Sequence, residues 1–347
     1  MTISADPFVR RKSVALADGH AWRAFLLRWG VSIASLGSGL TVLLVFRRGL
    51  PHVGWIVGYL LLLWLLFVLI TELRAPLLER GRGIVLTAAD YTIQTLYHNL
   101  LLFVLPAYYA ATTFDSPNVA FLAAVVAGAL VTALDPLYRR LVHPRPWLNH
   151  ALLGFSIFAA LNVALPLVGV RPIMALEGSA IFAALALAPA FRRGGAAGWL
   201  RAHAWALAAA VLALALVWAG RVLVPPAPLF LAHAVVARAV AEMQPVDAAE
   251  DGVLAAATVL EWGELAAYTA VYAPAGVRQA IGHIWWRNGE RIAYVALPTP
   301  VQGGRMQGFR TYSRYTELKP PIPGHYRVDV ITASGQLIGR LRFTVTP

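Results

Sequence analysis

The chain has 347 residues, 59% of them hydrophobic and 13% charged, against about 45–50% and 25% in an average soluble domain. Its mean hydropathy of +0.64 points the same way, so a wholly soluble enzyme of this length is set aside. The net charge of +12 indicates a nucleic-acid binder only where charge lies on a solvated face, and no cysteine is present, which removes disulfides, thiolate zinc sites, cysteine nucleophiles and iron–sulfur clusters together.

In chain order, residues 1–24 are polar or amphipathic and read as a cytoplasmic segment. No small-residue cleavage pattern follows a short apolar core, so a signal anchor fits better than a cleaved signal peptide. The stretch 14–28 would lie on the membrane surface through Trp22 and Phe25, or form a disordered lead-in. A membrane helix needs roughly 20 mostly apolar residues to cross about 30 Å of hydrocarbon. Seven stretches are read as spans: 25–46, 53–70, 91–110, 119–134, 148–168, 172–191 and 204–224. The second is the clearest, with Trp55, Tyr59 and Trp64 among leucines; the fourth is short and the last is alanine-rich. In the first, Ser35 and Gly39, like Gly37 and Thr41, stand four apart, which permits close helix approach. The neighbour is read as another span of the same chain, with a homodimer as the alternative.

Arginine placement tests this reading, because cytoplasmic loops carry the excess of Lys and Arg. With the N-terminus inside, 14 basic residues fall on the cytoplasmic side, among them Arg74, Arg80, Arg82, Arg139, Arg140, Arg145, Arg192, Arg193 and Arg201. The other side has four, Arg47, Arg48, Arg171 and Arg221, and none near Asp115. The alternation predicts a seven-helix transmembrane domain over 25–224, with the C-terminus outside.

Beyond residue 224, Pro225, Pro226 and Pro228 mark a linker over 225–245 with a short helical pattern at 232–243. Strands are expected from about Asp251, in a domain over 246–347. Asn288-Gly289 is a type I′ hairpin signal. Tyr326, Val328 and Val330 alternate with Arg327 and Asp329, and Leu341, Phe343 and Val345 alternate beyond the Ser334-Gly335 turn, as half-buried strands require. Short strands at near-regular spacing favour a small all-β antiparallel sandwich of immunoglobulin-like type. From Ala239 onward the net charge is about +1, which leaves about +11 on the membrane half.

The run His283-Ile284-Trp285-Trp286-Arg287-Asn288-Gly289, with Arg310-Thr311-Tyr312-Ser313-Arg314, Pro323-Gly324-His325-Tyr326-Arg327-Val328 and the closing segment 335–345, resembles the bacterial domain-of-unknown-function family numbered 2914, over roughly 240–347. Tyr97-His98-Asn99, Leu105-Pro106 and Leu134-Asp135-Pro136 resemble the polytopic family numbered 5924 that precedes it. The resemblance implies a proteobacterial inner-membrane protein with a small β domain, and no catalytic or binding residue.

Polar side chains inside a span are costly and are functional candidates by default. Gln94 and His98 share one helical face, with Asn99 beside them; Asp135 closes the fourth span on the same side, and Asn149 and His150 open the fifth. Together they would form a cluster near the inner leaflet, with His98 and Asp135 as its ionisable pair. Such a cluster would bind a substrate or pass a proton. The plainer reading, which weighs more, is hydrogen bonding between helices, at about 0.6 kcal/mol each. Glu177 and Arg171 are expected to pair at the outer interface, near Asn162. The loop His143-Pro144-Arg145-Pro146-Trp147 lacks the lysine of the membrane phosphatases, and no Pro-Ser-Gly-His follows; its arginines read as headgroup contacts. Gly81-Arg82-Gly83 lacks the third glycine of a dinucleotide loop, and no Walker loop or Gly-x-Ser-x-Gly elbow occurs. His143 and His150 lack a third ligand, so no metal, cofactor or catalytic residue is expected.

Trp285 and Trp286, adjacent on a strand, must face opposite sides of the sheet. His283 and Arg287 share the face of Trp285, and these three are the β-domain binding candidates, for a glycan or peptide. The plain alternatives are a second core layer, contact with the membrane surface, or packing against helix ends. The whole reads as a non-enzymatic, membrane-held interaction or ligand-binding module of the cell envelope, sited in the bacterial inner (cytoplasmic) membrane with a periplasmic C-terminal domain. Its expected partners are the lipid bilayer and an envelope protein, glycan or peptide, with no nucleic acid. The rivals are a transporter or proton-linked protein built on the polar cluster, and an envelope lipid- or glycan-modifying enzyme.

Overall fold

A computed structural model describes residues 53–192 and 195–347. The expected segment 1–24 and the span 25–46, with its small-residue pairs, lie outside the described residues. The helical region runs α1 (Val53–Glu79), α2 (Gly83–Ala111), α3 (Val119–Ala133), α4 (Asp135–Leu141), α5 (Pro146–Leu167), α6 (Pro172–Leu185), a 3-10 turn (Ala188–Phe191) and α7 (Gly195–Gly220). Among the described residues, four stretches are long and apolar enough to cross a membrane: Ile56–Glu79, Pro146–Leu167, Pro172–Phe191 and Gly198–Leu223. At 1.5 Å per residue, the 22 residues of α5 extend about 33 Å. The short α3 joins α4 through a bend of 103°, and the pair makes a fifth candidate if it is one span.

The expected third span falls within α2, which has length enough but not apolarity. It can carry Gln94, His98 and Asn99 because it is the central helix, packed on α1, α3 and α5. Its residues Leu96, Tyr97, His98, Asn99, Leu100 and Leu101 are all buried in succession, and only a helix covered on every side buries six consecutive residues. Helix α7 is the opposite case. Ala202, Ala206 and Ala210 are buried at a four-residue spacing, while Leu207, Val211, Leu212 and Leu216 are exposed. The alanines allow close packing on α6, and the outward leucines present the kind of apolar surface that a bilayer covers.

The C-terminal part is a β domain. Its elements are β1 (Phe230–Ala241), β2 (Gln244–Ala249), β3 (Val253–Ala255), α8 (Ala256–Trp262), β4 (Leu265–Tyr272), β5 (Arg278–Gln279), β6 (Ile281–Arg287), β7 (Glu290–Ala296), β8 (Val301–Gln302), β9 (Phe309–Tyr315), β10 (Gly324–Thr332) and β11 (Leu337–Thr346). One sheet has the order β2-β1-β4-β9, a second β3-β11-β10-β6-β7, and β5 pairs with β8 in a small third. Pairing is antiparallel except for β3 on β11. Val236, Leu265 and Ala267 from the first sheet share one buried cluster with Trp285, Val328 and Phe343 from the second.

Two expectations are corrected here. The segment 232–243 is not helical: it forms most of β1, which pairs with β2 and β4. The turn between β1 and β2 sits at Glu242 and Met243, both at positive φ. The β domain therefore begins at Phe230, ahead of the expected boundary at 246. The Asn288-Gly289 hairpin is observed, with φ of 50° and 87°, and it joins β6 to β7. Tyr326, Val328, Val330, Leu341, Phe343 and Val345 all point into the core.

Candidate functional site

The polar residues of α2 meet the C-terminal turn of α3. Gln94 Nε2 donates to Asp135 Oδ1 at 2.7 Å and to the Thr132 carbonyl at 2.9 Å. One turn on, His98 Nδ1 lies 3.1 Å from the Ala129 carbonyl. All three side chains are buried, so a seam of polar contacts stitches α2 to α3 just ahead of the 103° bend. Asn149 joins it at one remove, its Oδ1 accepting from Tyr97 and Tyr138 hydroxyls at 3.4 Å each. Asn99 is buried on α2 as well. His150 is not in the seam: its ring stands edge-on to Phe67 at 5.8 Å and lines a neighbouring cavity. Deeper in the bundle, Asn162 donates to the Tyr108 hydroxyl at 3.1 Å, which donates to the Ala159 carbonyl at 2.9 Å. The expected Arg171–Glu177 pair is not formed: the Arg171 guanidinium turns to Met174 Sδ, 3.6 Å away.

Two adjoining hollows open at the end of the bundle that carries most arginines. One, of about 400 Å³, is walled by α1, α2, α4, α5 and the 3-10 turn. The other, of about 290 Å³, shares Asp90, Tyr138 and His143 with it and adds Gln94 and Arg139. Among the described residues, no three His, Asp or Glu side chains gather at metal-binding spacing.

In the β domain, His283 and Trp285 are completely buried. His283 Nδ1 and Trp285 Nε1 both meet Ser313 Oγ, at 2.8 and 2.9 Å, and His283 Nε2 lies 3.2 Å from Thr269 Oγ1. The Trp285 ring stacks on Tyr315 at 5.6 Å. Burial without a nearby countercharge penalises the imidazolium and pushes the His283 pKa down to about 4. Arg287, at the end of the same face, donates to the Lys319 and Pro321 carbonyls at 2.8 Å each. Of the candidate trio His283, Trp285 and Arg287, the structure places two in the core rather than on an open face, and the third ties down a loop. Trp286 is the outward tryptophan. Arg327 lies over its ring at 4.5 Å, its Nε1 is buried without a hydrogen-bond partner, and it lines a hollow of about 380 Å³ with Arg327, Arg342 and His325.

Packing of the β domain against helix ends is one alternative read from the sequence, but the sequence does not name the residues that join the two parts of the chain. Arg340 donates to both carboxylate oxygens of Asp329, at 2.6 and 3.3 Å, and to Asp115 Oδ2 at 2.7 Å. Arg342 also pairs with Asp115. Arg221 Nε donates to the Ser334 carbonyl at 2.7 Å, and Gln336 Nε2 to the Val224 carbonyl at 3.1 Å. Gly169, between α5 and α6, approaches Gly276 so closely that a Cβ on it would lie 3.5 Å from Gly276 backbone. The β domain therefore sits against the loops around residues 115, 169 and 221. The alternation of Arg340 and Arg342 with Leu341 and Phe343 announced an outward charged face, but its partner Asp115 lies far away in sequence.

No curated protein and no solved structure matches the chain. Two family models do match it: one described as a family of unknown function, DUF5924, over residues 19–266, and one described as a protein of unknown function, DUF2914, over residues 278–345. The first extends past the last membrane-type helix through β1, β2 and β3 into β4, so its boundary does not coincide with the start of the β domain. Since that model spans well over half of the residues, the chain belongs to the DUF5924 family, with a DUF2914 region at its C-terminal end.

Proposed function

We propose that the chain is a seven-span protein of a bacterial inner membrane, with its N-terminus in the cytoplasm, and that it holds a β-sandwich binding module at the periplasmic surface. The observation that carries the binding reading is Trp286, an outward tryptophan beside a hollow edged by Arg327, Arg342 and His325. An aromatic ring with adjacent cations offers stacking and charge pairing to a glycan or an acidic peptide. Sidedness is supported by the docking of the β domain on the arginine-poor loops, opposite Arg74, Arg139 and Arg192. No catalytic constellation accompanies the hollow, and the reading is of a binding rather than an enzymatic module.

A proton-linked or transport role remains the second reading, favoured by Gln94 alone. It lines the smaller hollow and donates to Asp135, so it touches both the open end and the polar seam. The two readings separate in cells in which the chain complements its own deletion. The binding module predicts that Trp286→Ala abolishes complementation while Asp135→Asn and His98→Ala, inserted at normal levels, retain it. The reverse pattern would establish the transport reading.

A further inference from the structure

The larger hollow at the arginine-rich end has features that neither the polar seam nor the β domain explains. Its volume of about 400 Å³ falls in the range of small-molecule sites. Its wall divides by chemistry: Phe67, Ile70, Ile93 and Pro189 are apolar, whereas Arg74 and Arg192 are cationic. Thr71, Asn149, His143 and His150 add hydrogen-bonding groups between the two. The first turn of α5 also lines it, through Pro146, Asn149 and His150. Its N-cap, Arg145, supplies no side-chain oxygen to the helix end. That end begins with proline, and the Leu148 and Asn149 amides bond the Arg145 carbonyl at 2.9 and 3.2 Å, so side chains rather than the helix end must hold an anion there.

Arg192 is held in position: it pairs with Glu72 and lies 4.9 Å from the Trp199 ring. Arg139, at the adjoining smaller hollow, stacks on Tyr91 at 5.1 Å. The site also lies beside the 103° break between α3 and α4, where a span reaching only about 22 Å would give way to the headgroup layer. An apolar floor under a cationic rim at that depth matches a molecule with a phosphate at one end and a hydrocarbon chain at the other.

We propose that this hollow binds a phosphate ester, seated on Arg74 and Arg192. The phosphate arrives either as a lipid headgroup or as a free phosphate compound. The site is distinct from the Trp286 hollow and does not depend on the β-domain reading. The test uses the full chain in nanodiscs of phosphatidylcholine, titrated with phosphatidic acid, with inorganic phosphate and with further phosphatidylcholine. Binding is read by native mass spectrometry and by the thermal midpoint. Phosphatidic acid is expected to bind at least about tenfold more tightly than phosphatidylcholine, and Arg74→Gln with Arg192→Gln to remove that preference. Asp90→Asn, which removes the negative charge from the wall, should tighten binding, a gain that misfolding cannot produce. Arg201→Gln, on the same end but outside the hollow, should change affinity by less than about twofold. Stabilisation by phosphatidic acid alone assigns a lipid, and equal stabilisation by inorganic phosphate assigns a soluble ester. Absence of preference for either over phosphatidylcholine, or an equal loss in Arg201→Gln, overturns the proposal.

Discussion

His283 shows how one buried side chain ties the β domain to pH. Its pKa falls from 6.5 to about 4 on folding because burial penalises the charged ring. The unfolded chain therefore binds more protons between those values, so this contribution is intact above pH 6.5 and is lost as pH falls towards 4. A shift of that size corresponds to about 3 kcal/mol at most. Unfolding followed by tryptophan fluorescence should show the loss, and His283→Gln should flatten the profile over that interval. A wild-type stability unchanged between pH 7 and 4 would contradict the burial. The two adjacent tryptophans give a sharper contrast. Trp285 is wholly buried and stacked, so Trp285→Ala should destabilise by about 3–5 kcal/mol. Trp286→Ala should cost about 1 kcal/mol or less, and its effect should appear in binding. Period-2 geometry required the two rings to oppose each other, but only packing decided which one faces in.

At the scale of elements, the seam between α2 and α3 behaves as hydrogen bonding between helices. Gln94→Leu should therefore cost about 0.6–1.7 kcal/mol in bicelle unfolding; a loss several times larger would mean that Gln94 supports more than helix contact. Docking is the stronger coupling. Arg340 is nearly buried between Asp329 and Asp115, so Arg340→Ala leaves the buried Asp329 carboxylate with Arg327 alone, 3.5 Å away, at about 1.5–3 kcal/mol. Asp115→Ala leaves the Arg340–Asp329 pair in place and should cost about 1 kcal/mol, measured as a lower midpoint for the β domain in the full chain. The elements were unevenly legible in the sequence. Asn288-Gly289 declared its hairpin because a type I′ turn needs positive φ at both positions. β1 was misread because its alternating Ala and Val carry too little side-chain contrast to separate a period of 2 from one of 3.6. The central place of α2 was legible only as a puzzle, since its polar residues weaken the span signal and are tolerated through burial.

Across the whole molecule, charge and contact both support the proposed sidedness. The arginines cluster at one end of the helices, and the β domain rests on the loops at the other, through Asp115, Gly169 and Arg221. A chain without cysteine permits single-cysteine labelling in a clean background. Met306 in the β domain is 81% exposed, and Arg80 follows α1 at the arginine-rich end. With a membrane-impermeant maleimide on intact cells, Met306→Cys should label at once and Arg80→Cys only after lysis. Labelling of Arg80→Cys in intact cells, or protection of Met306→Cys until lysis, would contradict the account.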